Sequence, residues 1–414
     1  MAANGTAGKT LRIGVAGLGV GASNALAEPN GMRNHPHVKL AAGADPRPVA
    51  RERFAQEFGG DTFADVEEMC RKAAIDAVYI LTPSRMHAAH AIIAAEHGKQ
   101  IILDKPMGLS LAECDAVLAA VERCGVRLLV GHSQSLDAGI VRMTEIVRSG
   151  ELGRPVMIES SFRSEWLYRP RSADEMEPGT GEGSLVMRQG PVQVDIVRML
   201  GGGLARRVRA MTSSIDSSRP VEGSYLAYLE FDDGTPAMLL FNSYAHFNSA
   251  ELTWGYGLGG HRVAQDIGVQ ARRQIASFAR PEDEWAHKDA TRYGGLRARG
   301  LARAGESAHQ FFGFTLVSCE RGDIRQTPTG LRIYGDDAVR DVEVPAAHYS
   351  RVELDVLYLA WVNDQPLAYH DGLWGRATTE VCLGILQSAR ERKEIMLTRQ
   401  VALPRERGSK VAGG

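Results

Sequence analysis

Asp104-Lys105-Pro106-Met107-Gly108 directly follows the apolar run Gln100 to Leu103, which reads as a short buried strand. A lysine at such a strand end is suited to one kind of chemistry in particular. Removing a hydride from a carbinol carbon requires the hydroxyl proton to leave, and an amine or ammonium within hydrogen-bond reach can accept it or steady the developing alkoxide. A positive ring next to that lysine would lower its pKa.

A second string gives the reason to expect such a ring. Gly17-Leu18-Gly19-Val20-Gly21-Ala22 has the form G-x-G-x-x-A and stands between the apolar run Leu11 to Ala16 and the helix that must follow. The first glycine permits a tight turn, the second lets a pyrophosphate approach the backbone, and the small third residue lets helix pack on strand, with the phosphates at the helix N-terminus. Asp45 closes the next apolar run, Val38 to Ala44, where a carboxylate accepts hydrogen bonds from an adenosine ribose and repels a 2′-phosphate. NAD is therefore expected in preference to NADP. Arg47 is the counter-signal, because a guanidinium there can pair with a 2′-phosphate; its other readings are adenine stacking or plain exposure. Thr82-Pro83-Ser84-Arg85-Met86-His87 sits at a further strand end. The expected cofactor contacts are thus Gly17, Gly19, Val20, Gly21, Ala22, Asp45, Arg47, Thr82, Pro83, His87 and Lys105, although His87 serves equally well as the structural start of a helix.

The elements that must position these residues alternate. Short apolar runs (Leu11–Ala16, Val38–Ala44, Ala77–Leu81, Gln100–Leu103, Arg127–Gly131) are separated by helical stretches. This rhythm demands a parallel sheet covered on both faces. After the helix Ala138 to Ser149 the period changes to two at Pro155–Ser164, Val208–Ser214, Ser224–Phe231 and Ala237–Ala245, with a hairpin signal at Asp232-Asp233-Gly234-Thr235. The expected fold is α/β, an N-terminal Rossmann doubly wound parallel sheet plus a C-terminal α+β domain with a large, mainly antiparallel open sheet. Residues 1–8 read as disordered, 9–133 as the dinucleotide-binding domain and 134–414 as the substrate and oligomerisation domain, with 255–310 a partly helical insertion. Strands resume at Thr315–Cys319 and Leu331–Tyr334, and an amphipathic helix from Leu373 to Glu391 closes the fold.

A chain of 414 residues with 44% hydrophobic and 24% charged residues and a net charge of −2 has ordinary globular composition for two domains, with no polyanion partner implied. No nucleic acid and no membrane partner is expected. The apolar runs are too short for a bilayer, and Met1 to Lys9 lacks an apolar signal core, so a cytoplasmic location is expected. Five scattered cysteines without C-x-x-C pairing make zinc and disulfides unexpected, and no metal is assigned.

Taken together, the Gly-rich turn, the Thr82 string and Asp104-Lys105-Pro106 resemble the Gfo/Idh/MocA family of NAD(P)-dependent dehydrogenases over nearly the whole chain. The family usually has Glu-Lys-Pro, with the lysine beside the nicotinamide and the reacting hydroxyl; here the acid is shortened to Asp104. The family's second signature is similar to Gly181 through Asp195. Gly190 and Asp195 match it, Arg188 replaces its first acid, and Val192 stands where its histidine would be. A valine can neither donate nor accept a proton. The resemblance implies catalytic roles for Lys105 and for Asp195, which could orient Lys105. His132, after the last Rossmann strand, reads as a further proton-transfer residue or as a buried, hydrogen-bonded histidine.

Arg188-Gln189-Gly190-Pro191 and Cys319 through Gln326 look like a narrower branch, the phthalate 4,5-cis-dihydrodiol dehydrogenases and related carboxylated cis-dihydrodiol dehydrogenases. An aromatic-acid substrate suits Arg163, Trp166, Tyr168, Arg188 and Val192 as its binding residues, since guanidiniums grip carboxylates and aromatic rings cover a flat diene. Arg169 and Arg171 flank Pro170 and also read as solvated loop residues. The branch implies oxidation to a catechol. A sugar or polyol dehydrogenase, and a catalytically impaired NAD-binding regulatory protein, are the alternatives. The open sheet face implies a homo-oligomer, dimer or tetramer.

Overall fold

The computed structural model of the chain describes residues 9–26, 32, 35–131, 134–177, 181–298, 308–346 and 349–404. The expected disorder of residues 1–8 and the catalytic reading of His132 lie outside the described residues. Six strands, β1 (Leu11–Ala16), β2 (Val38–Ala44), β3 (Asp61–Phe63), β4 (Ala77–Ile80), β5 (Gln100–Asp104) and β6 (Leu128–Gly131), form one parallel sheet in the order β3-β2-β1-β4-β5-β6. The strands are continuously apolar because both faces are covered. Helices Val66–Lys72, His87–Glu96 and Leu111–Cys124 bury Met69, Ala91 and Val117 on one face; Val20–Ala25 and Pro48–Phe58 bury Ala22 and Phe54 on the other. Ser110 caps the Leu111–Cys124 helix by accepting from Glu113 N, and Gly125 ends it in a left-handed conformation. The strand order reverses between β1 and β4, so the crevice at the C-terminal strand ends is where such a sheet takes its ligand.

Nine strands build the second sheet: β7 (Pro155–Arg163), β8 (Ala205–Ser213), β9 (Ser224–Phe231), β10 (Pro236–Asn242), β11 (Phe314–Cys319), β12 (Gly322–Thr327), β13 (Gly330–Gly335), β14 (Val339–Glu343) and β15 (Ile395–Met396). Their order is β14-β13-β12-β11-β7-β10-β9-β8-β15. β7 and β10 run parallel; the other neighbours are antiparallel. Period-two alternation turns Ile158, Phe162, Leu229 and Phe241 towards the helices Gly190–Leu200 and Gly372–Glu391, and leaves Met157, Met211, Leu226 and Tyr228 exposed on the far face.

Two boundaries differ from the expectation. The helix Tyr349–Val362 lies far downstream of residue 134, yet its Leu354, Leu357 and Tyr358 pack in the Rossmann core with Leu11 and Tyr79. Division at 133/134 thus assigns this helix to one domain by sequence while its side chains pack in the other. The insertion leaves the sheet after Asn242 and rejoins it at Phe314, so it begins earlier than residue 255; it carries the helices Ile267–Ala276 and Pro281–Ala290. Among the described residues no helix is long and apolar enough to cross a membrane, and no group of three or more His, Cys, Asp or Glu side chains could hold a metal ion.

Candidate active site

At the first turn Gly17 adopts φ +88°, and a Cβ there would lie 2.7 Å from Thr82 N, whereas a Cβ on Gly19 would meet nothing within 4 Å. The first glycine is therefore required by the close approach of β4, and the second faces open space. That cradle fits the pyrophosphate of a dinucleotide, with Val20, Gly21 and Ala22 opening the helix behind it. Asp45 is buried beneath the turn. Its carboxylate accepts from Leu18 N at 2.9 Å, from Arg47 N at 2.9 Å and from Arg47 Nε at 3.0 Å. Asp45 and Arg47 thus meet beside the turn as expected, but they hold each other as well as the loop, so the carboxylate braces the backbone that would carry the cofactor.

His87 is fully buried, with Nδ1 2.7 Å from Pro106 O and Nε2 2.8 Å from Thr82 O. Both ring nitrogens are used within the chain. The ring therefore ties the Thr82 loop to the Lys105 loop, and its nitrogens are taken up there, as the helix-start reading of His87 expects. Thr82 Oγ1 is 3.0 Å from His90 Nδ1, and Pro83 is exposed at the mouth.

Lys105 follows β5 directly, and its Nζ donates to Arg188 O at 2.6 Å. Burial pushes its pKa below the ordinary lysine value; Asp104 opposes this, and the Arg188 charge adds to it. Lys105 shares a small cavity with Gly131, Pro191, Asp195, Trp374 and Thr378, where the two domains meet.

Asp195 is 5% exposed, and its carboxylate accepts from Ser135 Oγ, from Trp374 Nε1 and, at 3.0 Å, from His370 Nε2. Burial raises its pKa, but the His370 interaction and the hydrogen bonds outweigh this and hold it below the usual carboxylate value. It lines the cavity with Lys105 without a hydrogen bond to it among the described residues, and its bonds go instead to fixing His370, which pairs with β6. His370 has φ +54° and its carbonyl accepts from Val130 N of β6 at 2.9 Å. Ser135, His370 and Trp374 carry no local signal in the sequence; they lie 60, 175 and 179 residues from Asp195.

Val192 is 3% exposed and packs in the hydrophobic core of the second domain, so it is not an open substrate contact. Arg163 is also displaced from its expected role. Its neighbour Phe162 points to the helix layer, so period two turns Arg163 to the opposite face of the sheet, away from the cavity. Tyr168 lies under the Arg272 guanidinium of the insertion, 4.3 Å from its ring.

Arg188 and Trp166 do come together, in company the sequence did not suggest. The buried Trp166 ring is covered by Arg171 at 3.7 Å, with Arg188 at 5.8 Å, so it is a platform for cations and not an open face for a diene. Arg171 is 4% exposed, not solvated, and donates to Trp166 O at 2.6 Å. Arg188 Nη1 bonds Glu175 Oε1, and Arg171 Nη1 lies 3.7 Å from the same oxygen. Burial alone would raise the Glu175 pKa, but Arg188, Arg171 and Lys288 hold it well below the usual range. The insertion closes this wall: Glu284 accepts from Arg171 N at 2.7 Å and from Arg219 at 2.7 and 3.0 Å. Further along, Tyr293 O accepts from Arg47 Nη1 at 3.3 Å and Tyr293 OH donates to Glu57 at 2.7 Å, so the insertion spans the cleft to the Rossmann domain. Arg85 adds a second bridge, donating from its backbone N to Glu182 at 2.6 Å and from its side chain to Asp174 at 2.8 Å.

Comparison with known proteins agrees with this architecture. Residues 11–132 match the oxidoreductase family with NAD-binding Rossmann fold, and residues 140–258 match the GFO/IDH/MocA C-terminal domain. The chain is 32% identical, over 92% of its length and 95% of the relative's, to 1-carboxy-3-chloro-3,4-dihydroxycyclohexa-1,5-diene dehydrogenase of Comamonas testosteroni. It is 29% identical to scyllo-inositol 2-dehydrogenase (NAD(+)) of Bacillus subtilis (strain 168) over 52% of this chain and 63% of that one. A crystal structure of a chain from Bordetella bronchiseptica RB50 assigned as a dehydrogenase superposes with a TM-score of 0.86 at 34% identity, covering 94% of this chain and 100% of the other.

Proposed function

The chain belongs to the Gfo/Idh/MocA family of NAD-binding oxidoreductases, and from that premise we propose that it oxidises a carboxylated aromatic cis-dihydrodiol to the corresponding catechol. One observation carries this reading: Arg188 holds Lys105 through its carbonyl while its guanidinium stands in a buried cluster of cations. The group that handles the reacting hydroxyl and the groups that would hold an acid are therefore one residue apart. The Comamonas testosteroni relative is named for a carboxylated diol, in keeping with this arrangement.

NAD supplies the hydride acceptor when bound. The residues of the chain do the rest. The Gly17–Ala22 turn holds the pyrophosphate, and Asp45 with Arg47 fixes that turn. Lys105, its pKa lowered by burial, takes the hydroxyl proton as the carbinol C–H bond breaks. The hydroxy-ketone formed moves a ring proton to oxygen and becomes aromatic, which drives the reaction. Val192 supplies no imidazole, so Lys105 is the proton acceptor at the reacting oxygen.

The scyllo-inositol relative favours a second reading, a polyol dehydrogenase working through the same lysine. The cation cluster disfavours it, since a polyol carries no charge to match. NAD⁺ reduction followed against carboxylated and uncarboxylated cis-dihydrodiols and scyllo-inositol separates the two. Turnover confined to scyllo-inositol would remove the first reading. Met157, Met211, Leu226 and Tyr228, exposed on the open sheet face, support assembly into a dimer or tetramer, which light scattering measures.

A further inference from the structure

We propose that Lys288, carried into the cleft by the insertion, is a specificity residue that binds the substrate carboxylate together with Arg188. The inference rests on the carboxylated-substrate reading above and adds a residue that neither the Gly-rich turn nor the Lys105 motif contains.

The insertion helix Pro281–Ala290 is pinned by Glu284, which bonds the backbone N of Arg171 and both terminal nitrogens of Arg219. Residues four apart on a helix share a face. Lys288 therefore lies one turn on along the same face, near enough to Glu175, Arg171, Arg188 and Arg292 for their charges to act on it. Among the described residues its ammonium has no hydrogen bond or ion pair, unlike Arg171 and Arg188, which share Glu175. Lys288, Arg171 and Arg188 thus stand near Glu175, with Glu284 and Glu182 as further carboxylates and Arg219 and Arg292 as further cations of the same wall. Burial pushes Lys288 down to about 8, and Arg171 and Arg188 work in the same direction against Glu175.

Arg188 uses Nη1 on Glu175 and on Glu182 O, and its Nε and Nη2 have no partner among the described residues. The open donors of Arg188 and the ammonium of Lys288 would together match the oxygens of one carboxylate. Because the Arg188 carbonyl holds Lys105, that carboxylate would lie about one arginine side chain from the reacting hydroxyl, the separation found across a six-membered ring. The chemical class is a ring acid bearing hydroxyls remote from its carboxyl group. A neutral polyol gains nothing from Lys288.

The test uses the full chain with Lys288→Met, which keeps length and removes charge, and Lys288→Arg, which restores it. Benzoate binding to the NAD⁺-saturated protein is measured by calorimetry, and steady-state kinetics are run on a carboxylated cis-dihydrodiol and its uncarboxylated counterpart. Lys288→Met is expected to weaken benzoate and raise KM for the carboxylated diol by roughly 10- to 100-fold, the scale of a charged hydrogen bond. Lys288→Arg should recover most of this, and the uncarboxylated diol should be handled alike by all three proteins. Wild-type affinity for benzoate should also fall as the pH rises past about 8, where free Lys288 loses its proton, and this limb should be missing from Lys288→Met. Failure of the wild type to bind benzoate, or equal losses on both diols, would overturn the proposal. If no diol is oxidised the substrate reading fails, and the benzoate titrations still decide the role of Lys288.

Discussion

Along the cofactor wall, Gly17, Asp45, Thr82 and Lys105 each lie within two residues of the C-terminal end of a parallel strand. Along the substrate wall, Ser135, Asp195 and His370 meet across separations of 60 and 175 residues, and Arg171 is held by Glu284 from 113 residues away. The first wall acts chiefly through backbone shape, fixed by local turns; the second acts through buried charge, fixed by tertiary packing. The first wall should therefore fail by steric exclusion and the second by loss of charge compensation.

The largest effect is expected at Gly17. In Gly17→Val the new side chain meets Thr82 N and the Leu81 carbonyl at a φ that valine avoids. Saturable NAD⁺ binding should disappear in a fluorescence titration. Retained binding would show that the turn yields, and the contrast between rigid backbone wall and charged wall would lose its basis.

A smaller but still severe change is expected in stability from Asp195→Ala. It leaves Ser135, His370 and Trp374 facing a void, and removing one member of such a buried set costs about 3–5 kcal/mol. Denaturant unfolding measures this. The folded pKa of Asp195 lies below its ordinary 3.8, so its contribution is complete above the unfolded value and is lost as the pH falls through the folded one. Wild-type stability should thus drop more steeply than that of Asp195→Ala below about pH 4. Parallel pH curves would mean that the carboxylate is not carrying the junction.

Val192→His sharpens the comparison from the other side. Val192 is packed in the core, so an imidazole there should lower stability by about 1–3 kcal/mol and leave turnover no higher. A gain in kcat would mean that the position opens to the reacting group, and that a histidine there can act as a base.

The Rossmann half was legible because its signals are local: G-x-G-x-x-A after β1, an acid after β2, Asp-Lys-Pro after β5. The strand Ser224–Phe231 was readable to the residue from its alternation. By contrast β12 and β14 were missed. β12, Gly322–Thr327, buries the polar Gln326 and Thr327 beside a single apolar Ile324, and β14, Val339–Glu343, is an edge strand with little burial to pattern it. The insertion shows no period because its helices bury few residues of their own and are held by Glu284 and Tyr293. Arg171 read as a solvated loop residue because nothing local announces Trp166 beneath it or Glu284 above it. Arg163 was misplaced for a simpler reason: its residue type suited the site, but the parity of β7 turns it to the other face.

The account as a whole turns on Lys105, where the two walls meet. Lys105→Ala, assayed by NADH formation on a carboxylated cis-dihydrodiol, should lose about 10²- to 10⁴-fold in kcat, the usual contribution of a positioned acid or base, while NAD⁺ binding stays close to wild type. Added methylamine should restore part of the rate. Near-normal turnover in Lys105→Ala, on a substrate the wild type oxidises, would contradict the account.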